Sequence, residues 1–262
     1  MPCALVLSAG GMFGAYQAGA WKALAGHLRP DLIVGASAGA LNGWAIAGGC
    51  SPAELIAVWT DRASSDLIRP RPALPWRGFF DPEPLARQTQ DFFARFQPRI
   101  PFAATMVEVP RLRQVLVRGE HMTPAHLMAS CAIPCGFPPV RLGGKLYVDG
   151  GLLSVVPLWA AVELGATRAV VVNVLPQMPS RFLRATVGAF RAVAAPRARF
   201  PDLEVIEIRP PGPLGSVHDA LTWSEENVLR WIAQGERDAE RVCERFAPQR
   251  NPAGPDPATG KT

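Results

Sequence analysis

Two short apolar runs, each followed by a glycine-rich turn and a helical pattern, constrain this chain more than any other feature. Residues 4–7 form the first run, and the helical pattern after it covers 13–28. Residues 32–34 form the second run, and a helical pattern follows over 40–47. A strand–helix–strand–helix order predicts two parallel strands joined by a right-handed crossover. Both glycine-rich turns should then lie side by side at the carboxyl edge of one sheet, where sites in such folds are usually found.

The rest of the chain continues the alternation of strand and helix patterns, which is typical of an α/β domain. Further helices are predicted over 52–62, 88–96, 124–131, 158–164, 181–194 and 222–246, the last with a Thr222/Glu225 capping box. Further strands are predicted over 115–117, 145–148, 169–174 and 204–208, and the proline-rich stretch 68–84 is predicted to be irregular. A chain of 262 residues suits one core. We therefore expect a single domain over 1–247 and a disordered tail over 248–262.

The second turn reads Gly35-Ala36-Ser37-Ala38-Gly39, a G-x-S-x-G at a predicted strand-to-helix junction. In that context a serine sits on a sharp turn, with its hydroxyl exposed at the sheet edge. The flanking glycines are needed because larger side chains would clash across the turn. The N-terminus of the following helix favours negative charge that develops nearby. This context favours a nucleophilic Ser37, and the alternative is a small-residue turn in a chain rich in alanine and glycine.

The first turn, residues 8–14, also opens a helix, one strand away from the serine. Glycine lets the backbone turn its N–H groups toward a ligand, and consecutive free N–H groups at a helix start bind anions. This turn therefore suits an oxyanion hole. The rival interpretation is a phosphate loop for a dinucleotide. Ala9 stands at the first glycine position of G-x-G-x-x-G, however, and no acidic residue ends the second strand, so we do not expect nucleotide binding.

A nucleophilic serine needs a base, and two kinds of residue compete for that role. The histidines are His27, His121, His126 and His218. Of these, His218 is the serious candidate for a Ser-Asp-His order, although none lies in a glycine-bounded turn after a strand. Asp149 ends the strand predicted over 145–148 and is followed by two glycines, which can present its carboxylate at a turn. An ordinary aspartate has a pKa of about 3.9 and is a weak base, so it needs direct contact with the serine hydroxyl.

At this point the sequence resembles bacterial members of the patatin-like phospholipase family. Four segments carry the resemblance in the family's order, and they are LVLSAGGMFGAYQAG, GASAG, ASCAIPCGFPPV and YVDGGLLSVVPLWAAVELGA. The resemblance implies a three-layer α/β/α fold with a mainly parallel central sheet. It also implies the hydrolysis of acyl esters of lipids without a metal or other cofactor.

The resemblance further implies a role for each residue of the site. Ser37 is the expected nucleophile and Asp149 its general base, in a dyad without histidine. The expected oxyanion hole lies in the first glycine loop, with Gly10 and Gly11 as donors and Gly14 supporting the turn. The glycines that support the two catalytic motifs are Gly35, Gly39, Gly150 and Gly151.

Composition bears on partners and compartment. The net charge of +5 suits an anionic surface such as phospholipid headgroups, and no clustered motif indicates nucleic acid. The five cysteines are scattered, without a CxxC pair, which favours a reducing compartment and argues against a zinc site or a disulfide framework. No apolar run approaches the roughly 20 residues that span a bilayer. We expect a cytoplasmic protein that can meet a membrane peripherally, with its oligomeric state left open.

Two segments are candidates for membrane contact, and two other functions compete with the hydrolase. Residues 68–80 mix arginines with aromatic side chains, and residues 181–193 form an amphipathic pattern that equally fits a helix packed on the sheet. The first competing function is a catalytically weak lipid-binding or scaffolding protein on the same fold, because Phe13 stands where the family usually has a basic residue and Ala9 where its run of three glycines usually begins. The second is an α/β-hydrolase that uses His218.

Overall fold

A central sheet organises the computed structural model, which describes residues 2–62, 65, 67–71, 78–177 and 200–243. Eight strands are found in this part of the chain. They are β1 (Cys3–Leu7), β2 (Leu32–Ala36), β3 (Phe102–Val109), β4 (Arg113–Arg118), β5 (Val140–Leu142), β6 (Lys145–Asp149), β7 (Arg168–Val172) and β8 (Glu204–Ile208). Their order is β5-β6-β3-β2-β1-β7-β8, with β4 also paired to β3.

Five neighbouring strands, β3, β2, β1, β7 and β8, run parallel to one another. Strands β4 and β6 pair antiparallel with β3, and β5 pairs antiparallel with β6. The predicted parallel pairing of β1 with β2 is therefore confirmed. These two strands and β7 read as nearly continuous apolar runs because helices cover both faces of a parallel sheet.

Helices lie on both faces of this sheet. They are α1 (Gly14–Leu24), α2 (Ala38–Ala47), α3 (Pro52–Thr60), α4 (Pro82–Arg95), α5 (Pro124–Ser130), α6 (Leu158–Glu163), α7 (Val217–Leu221) and α8 (Glu225–Cys243). The larger core cluster packs α1, α2 and α8 on one face, and a smaller cluster packs α6 on the other. The predicted three-layer α/β/α architecture is confirmed. The helix predicted over 181–194 and the tail over 248–262 lie outside the described residues.

The strand that the sequence pattern misses is β3, which lies near the middle of the sheet. Ala103 and Ala104 are weak strand formers, and Glu108 is of a residue type that is rarely buried. All three are buried here because β3 has neighbours on both sides and Glu108 is paired with basic side chains. The short strand β5 is also missed.

The start of α4 differs from the prediction. This helix begins at Pro82, inside the stretch 68–84 that is predicted to be irregular. The Asp81 carboxylate accepts a hydrogen bond from the Glu83 N–H, and proline fits the first helical position because no N–H donor is needed there. The prediction of irregular structure is therefore wrong from residue 82 onward.

The C-terminal helix also starts later than predicted. Thr222 follows the end of α7, and α8 begins at Glu225 after Ser224, whose hydroxyl oxygen accepts a hydrogen bond from the Asn227 N–H. The predicted Thr222/Glu225 capping box is wrong. A capping box does form at the start of α7, between Ser216 and Asp219.

Helices α1 and α8 pack backbone against backbone. A Cβ placed on Gly19 would overlap the Ile232 carbonyl, and one on Gly235 would overlap the Tyr16 carbonyl. The Tyr16 hydroxyl donates a 2.9 Å hydrogen bond to the Asp238 carboxylate across the same contact. This packing fixes the position of α1, whose N-terminus carries the first glycine loop.

We expect Gly19→Ala to lower the free energy of unfolding by about 3 kcal/mol, because the added methyl forces two backbones apart in a packed core. Urea unfolding followed by circular dichroism measures this loss. Gly26→Ala is the matched control, since a Cβ there meets nothing within 4 Å. Equal stability of the two variants would contradict the close packing described above.

Candidate active site

Ser37 occupies the sharp turn between β2 and α2. Its backbone has φ 56° and ψ −129°, a combination that a non-glycine residue adopts only under the constraint of its surroundings. Gly39 allows this turn because a Cβ there would overlap the carbonyls of Leu7 and Ser8 at the end of β1. Ser37 is only 4% exposed, so its hydroxyl lies at the wall of a pocket and not on open surface as the motif predicts.

Asp149, the last residue of β6, lies beside Ser37. Its backbone N–H donates to the Ala132 carbonyl at 2.9 Å, and its Oδ1 accepts a 2.6 Å hydrogen bond from the Gly151 N–H. Burial raises the pKa of this carboxyl to about 6, although hydrogen bonds from the Ser37 hydroxyl and the Gly151 N–H oppose the shift. The fold thus brings the two residues together and raises the pKa of a carboxyl group that is ordinarily ionised well below this value.

A third side chain, Ser130 at the end of α5, holds the serine turn in place. Its hydroxyl oxygen accepts a 3.1 Å hydrogen bond from the Ser37 N–H, and the hydroxyl donates to the Thr105 carbonyl at 2.8 Å. Ser130 therefore links the turn to β3. Sequence reasoning missed this role, although Ser130 belongs to the ASCAIPCGFPPV segment that resembles the family.

The first glycine loop lies next to Ser37, across the top of β1. Gly11 has φ +56°, and a Cβ there would also overlap the Ala220 carbonyl. Within the loop, the Phe13 N–H donates to the Gly10 carbonyl and the Gly14 N–H to those of Gly11 and Met12. No acceptor for the N–H groups of Gly10 and Gly11 is found among the described residues. Gly11 and Ser37 line the same pocket, so the glycine loop and the serine turn border one space.

Two residues of this loop depart from the family pattern, Ala9 and Phe13, and neither is among the residues that line the pocket. Phe13 is 1% exposed and packs edge-on against Trp231 of α8, with ring centroids 4.9 Å apart. The Ala9 N–H donates to the Val155 carbonyl at 2.8 Å. Phe13 therefore belongs to the core, where an aromatic ring packs well and an unpaired basic side chain would be costly.

Buried polar side chains join the glycine loop to the serine helix. Asn42 of α2 donates through Nδ2 to the Gly14 carbonyl at 3.0 Å and to Gln17 Oε1 at 2.9 Å. Its Oδ1 accepts a 2.9 Å hydrogen bond from Trp59 Nε1, and Gln17 Nε2 donates to the Ser8 carbonyl at 2.8 Å. We call Ser8, Gly14, Gln17, Asn42 and Trp59 the loop network. Ser8 and Gly14 take part through their backbone carbonyls, and the other three through their side chains. It holds both ends of the glycine loop against the helix that carries Ser37.

An apolar pocket opens beside Ser37. Its volume is about 410 Å³, including space that opens to solvent. Apart from the serine, its walls are mainly aliphatic and aromatic, and they include Met12, Leu41, Trp59, Leu85, Ile133 and Phe137. Such walls favour a hydrocarbon chain over a polar ligand. None of these pocket residues could be identified from the sequence, because they come from five separate segments.

The histidines lie elsewhere. The exposed His218 of α7 has Nε2 3.4 Å from Thr222 Oγ1, and no contact with Ser37 or Asp149 is found for it among the described residues. Thr123 caps α5 by accepting a hydrogen bond from the His126 N–H, and its Oγ1 lies 2.7 Å from His126 Nδ1. Burial lowers the pKa of His126. The geometry therefore pairs Ser37 with a carboxylate.

Among the residues that the structure describes, no group of three or more His, Cys, Asp or Glu side chains is arranged to hold a metal ion. No helix in the same ranges combines the length and apolarity needed to cross a membrane. All five cysteines are free.

The family model of patatin-like phospholipases matches residues 5–162, which is more than half of the chain. The chain belongs to the patatin-like phospholipase family. Among solved structures, it is similar to VipD from Legionella pneumophila, with a TM-score of 0.53 at 12% identity over 94% of this chain and 67% of that one. It also matches the type III effector protein ExoU, with a TM-score of 0.45 at 14% identity over 94% of this chain and 53% of that one. The likeness to VipD supports the fold, and this chain spans about two thirds of one neighbour and about half of the other.

We expect Asn42→Leu to slow the labelling of Ser37 by a fluorophosphonate, a reagent that phosphonylates nucleophilic serines. Loss of the loop network frees the glycine loop from α2, and a misplacement of about 1 Å can cost about a hundredfold in rate. Labelling is followed by mass spectrometry below the unfolding temperature of the variant.

Tyr16→Phe is the matched control, because it removes a buried hydrogen bond from the same α1 helix without touching the loop network. Labelling in this variant should proceed at the wild-type rate at similar loss of stability. If both variants slow labelling equally, Asn42 acts through general stability alone.

Proposed function

We propose that this protein hydrolyses acyl esters of lipids, with Ser37 as the nucleophile and Asp149 as its general base. The observation that carries the proposal is the position of the Ser37 hydroxyl beside the buried carboxyl group of Asp149, whose pKa burial raises to about 6. Membership of the patatin-like phospholipase family supports lipid esters as the substrate class. The apolar pocket beside Ser37 supports an acyl chain as the part of the substrate that is bound there.

Acylation begins when Ser37 Oγ forms a bond to the carbonyl carbon of the ester and its proton passes to Asp149. The carbonyl oxygen becomes an oxyanion, which the N–H groups of Gly10 and Gly11 stabilise. Such preorganised donors are worth about 3–4 kcal/mol each in transition-state stabilisation. The carbon–oxygen bond to the alcohol then breaks, and the departing alcohol takes the proton from Asp149.

Deacylation repeats these steps with water in place of the serine. Asp149 accepts a proton from water as the water oxygen attacks the acyl-enzyme, and the new oxyanion occupies the same N–H groups. Collapse releases the carboxylic acid, and Ser37 Oγ recovers its proton from Asp149. A base that titrates near pH 6 serves both directions of proton transfer better than an ordinary aspartate.

The alternative of a catalytically weak lipid-binding protein is not favoured by a specific observation. Its motivation was the absence of a basic residue at position 13, and Phe13 is buried against Trp231 instead of facing the pocket. No described group that the proposed chemistry needs is missing from the site.

We expect Ser37→Ala and Asp149→Asn each to lower kcat on p-nitrophenyl butyrate by about ten-thousandfold or more, since neither half of the dyad works alone. His218→Ala should keep wild-type activity. The rates are measured at neutral pH with folding checked by circular dichroism. A fully active Asp149→Asn together with an inactive His218→Ala would exclude the dyad, and a folded wild type that hydrolyses no ester would exclude the hydrolase.

We expect kcat/KM for the same soluble ester to fall as the pH drops through about 6. The base must be ionised, and burial raises the pKa of Asp149 to about 6, so the protonated, inactive form accumulates below that pH. An ordinary aspartate would move this midpoint to about pH 3.9.

His218→Ala should show the same midpoint, because the proposed base is Asp149. This control is needed because a histidine that acts as the base also titrates in this range. A profile that stays flat down to pH 4.5, or a midpoint that disappears with His218, contradicts the assignment of Asp149.

A further inference from the structure

Three basic side chains surround one buried carboxylate near the end of β3. Glu108 is 2% exposed, and its oxygens lie 3.2 Å from Arg111, 2.6 Å from Arg113 and 3.4 Å from Lys145. Elsewhere, ion pairs such as Lys22–Glu236 and Arg95–Glu54 join one carboxylate to one cation. Three positive charges against one negative charge leave an excess of two, and we call this group the Glu108 cluster.

The Glu108 cluster lies on the same sheet face and the same sheet edge as the dyad. Glu108 pairs with Tyr147 across β3 and β6, and Met106 pairs with Asp149. Side chains two residues apart on a strand share a face, so Lys145, Tyr147 and Asp149 lie on one face of β6. The row that contains Glu108 is displaced from Asp149 by two residues, roughly 7 Å along the strand.

The cations of the cluster are held in place yet remain accessible. The buried carboxylate of Glu108 orients all three basic groups. The side chains of Arg111, Arg113 and Lys145 are nevertheless 75%, 61% and 47% exposed. Guanidinium groups bind phosphate oxygens through paired N–H donors. A second anion can therefore complete the cluster from the solvent side, and phosphate is the anion that this donor set fits best.

A membrane surface supplies such phosphates next to the esters that the site would use. Phe79 is 46% exposed, and its N–H donates to the Cys135 carbonyl at 3.0 Å, between the pocket residues Ile133 and Phe137 in sequence. An exposed aromatic side chain near the pocket is suited to the polar–apolar boundary of a bilayer. Together with the net charge of +5, this favours a lipid surface over a small soluble phosphate.

We propose that the Glu108 cluster docks anionic phospholipid headgroups and so presents the pocket beside Ser37 to esters in the membrane. This inference rests on the proposed lipid hydrolase function for its purpose, but the binding itself is separable from catalysis. The cluster itself lies outside the segments 68–80 and 181–193 that the sequence suggests, because it is built from two hairpins, β3–β4 and β5–β6. Phe79, which supports the membrane assignment, belongs to the first of those segments.

The first test is co-sedimentation with vesicles of phosphatidylcholine alone and of phosphatidylcholine mixed with phosphatidylglycerol. The wild type should bind the mixed vesicles more tightly, and Arg111→Gln/Lys145→Gln should weaken that binding by about 30-fold, since two cations near an anionic leaflet are lost. Arg113 is kept in this variant so that Glu108 retains an ion-pair partner, which lies 2.6 Å away.

The matched control is Arg230→Gln/Arg237→Gln, which removes the same charge from exposed positions of α8. This helix contacts β8, which is four strands from β3 and roughly 19 Å away across the sheet. The control should lose only a small part of the binding. Equal losses in the two variants, or no loss in the cluster variant, would overturn the proposal.

A second test adds inorganic phosphate to the protein bound to mixed vesicles, at constant ionic strength. Docking to a surface predicts that phosphate displaces the protein from mixed vesicles only weakly. Displacement at low phosphate concentration would make the cluster a site for a soluble phosphate and overturn the membrane assignment.

Hydrolysis separates this inference from the proposed function. The cluster variant should release less fatty acid from mixed vesicles than the wild type does, while both hydrolyse soluble p-nitrophenyl butyrate equally. Wild-type rates of the cluster variant on vesicles would overturn docking and leave the hydrolase intact. A wild type that binds mixed vesicles but hydrolyses no ester would leave docking intact and exclude the hydrolase.

Discussion

The first turn of α2 rests directly on the carboxyl end of β1, and the candidate site depends on that contact. Gly39 is the residue at the contact, because any side chain there would overlap the carbonyls of Leu7 and Ser8. The approach brings the glycine loop, which follows β1, next to the serine turn, which follows β2. Since the two strands are parallel neighbours, both turns leave the same edge of the sheet. A larger spacing between α2 and β1 would separate the glycine loop from Ser37.

Polar groups in the same region are buried at a cost that the packing offsets. Asp149 is 4% exposed and burial raises its pKa to about 6, so its negative charge at neutral pH is held where burial disfavours it. Gln17 and Asn42 are also buried, and each of their side-chain amides has partners. Unlike Asp149, they are neutral and fully satisfied, so they can fix the glycine loop without a large desolvation penalty.

Phe13 illustrates how tertiary packing changes the meaning of a sequence difference. By comparison with the family, its place in the glycine loop suggests a positive charge lost from the substrate's surroundings. In the fold its ring packs against Trp231 of α8, far along the chain. The Glu108 cluster contributes positive charge on the face of the sheet that carries Asp149, and its members lie in two hairpins and show no motif in the sequence. Their arrangement depends on strand pairing.

Local signals in the sequence were enough for the two glycine turns and the parallel β1–β2 unit, because each depends on neighbours in the chain, whereas the three-layer class came from the family resemblance. Ser37 and Asp149 were recognisable as candidates from local signals, since each lies at the end of a strand with glycine one or two residues further on, and the resemblance then favoured Asp149 over a histidine. Tertiary structure alone decided that β3 is a strand, because Ala103 and Ala104 favour one only when both sides are paired. It alone decided the pKa of Asp149, the pairing of Asn42 with Gly14, the apolar pocket and the burial of Phe13. Each of these properties depends on surroundings contributed by distant residues, and no local pattern records them.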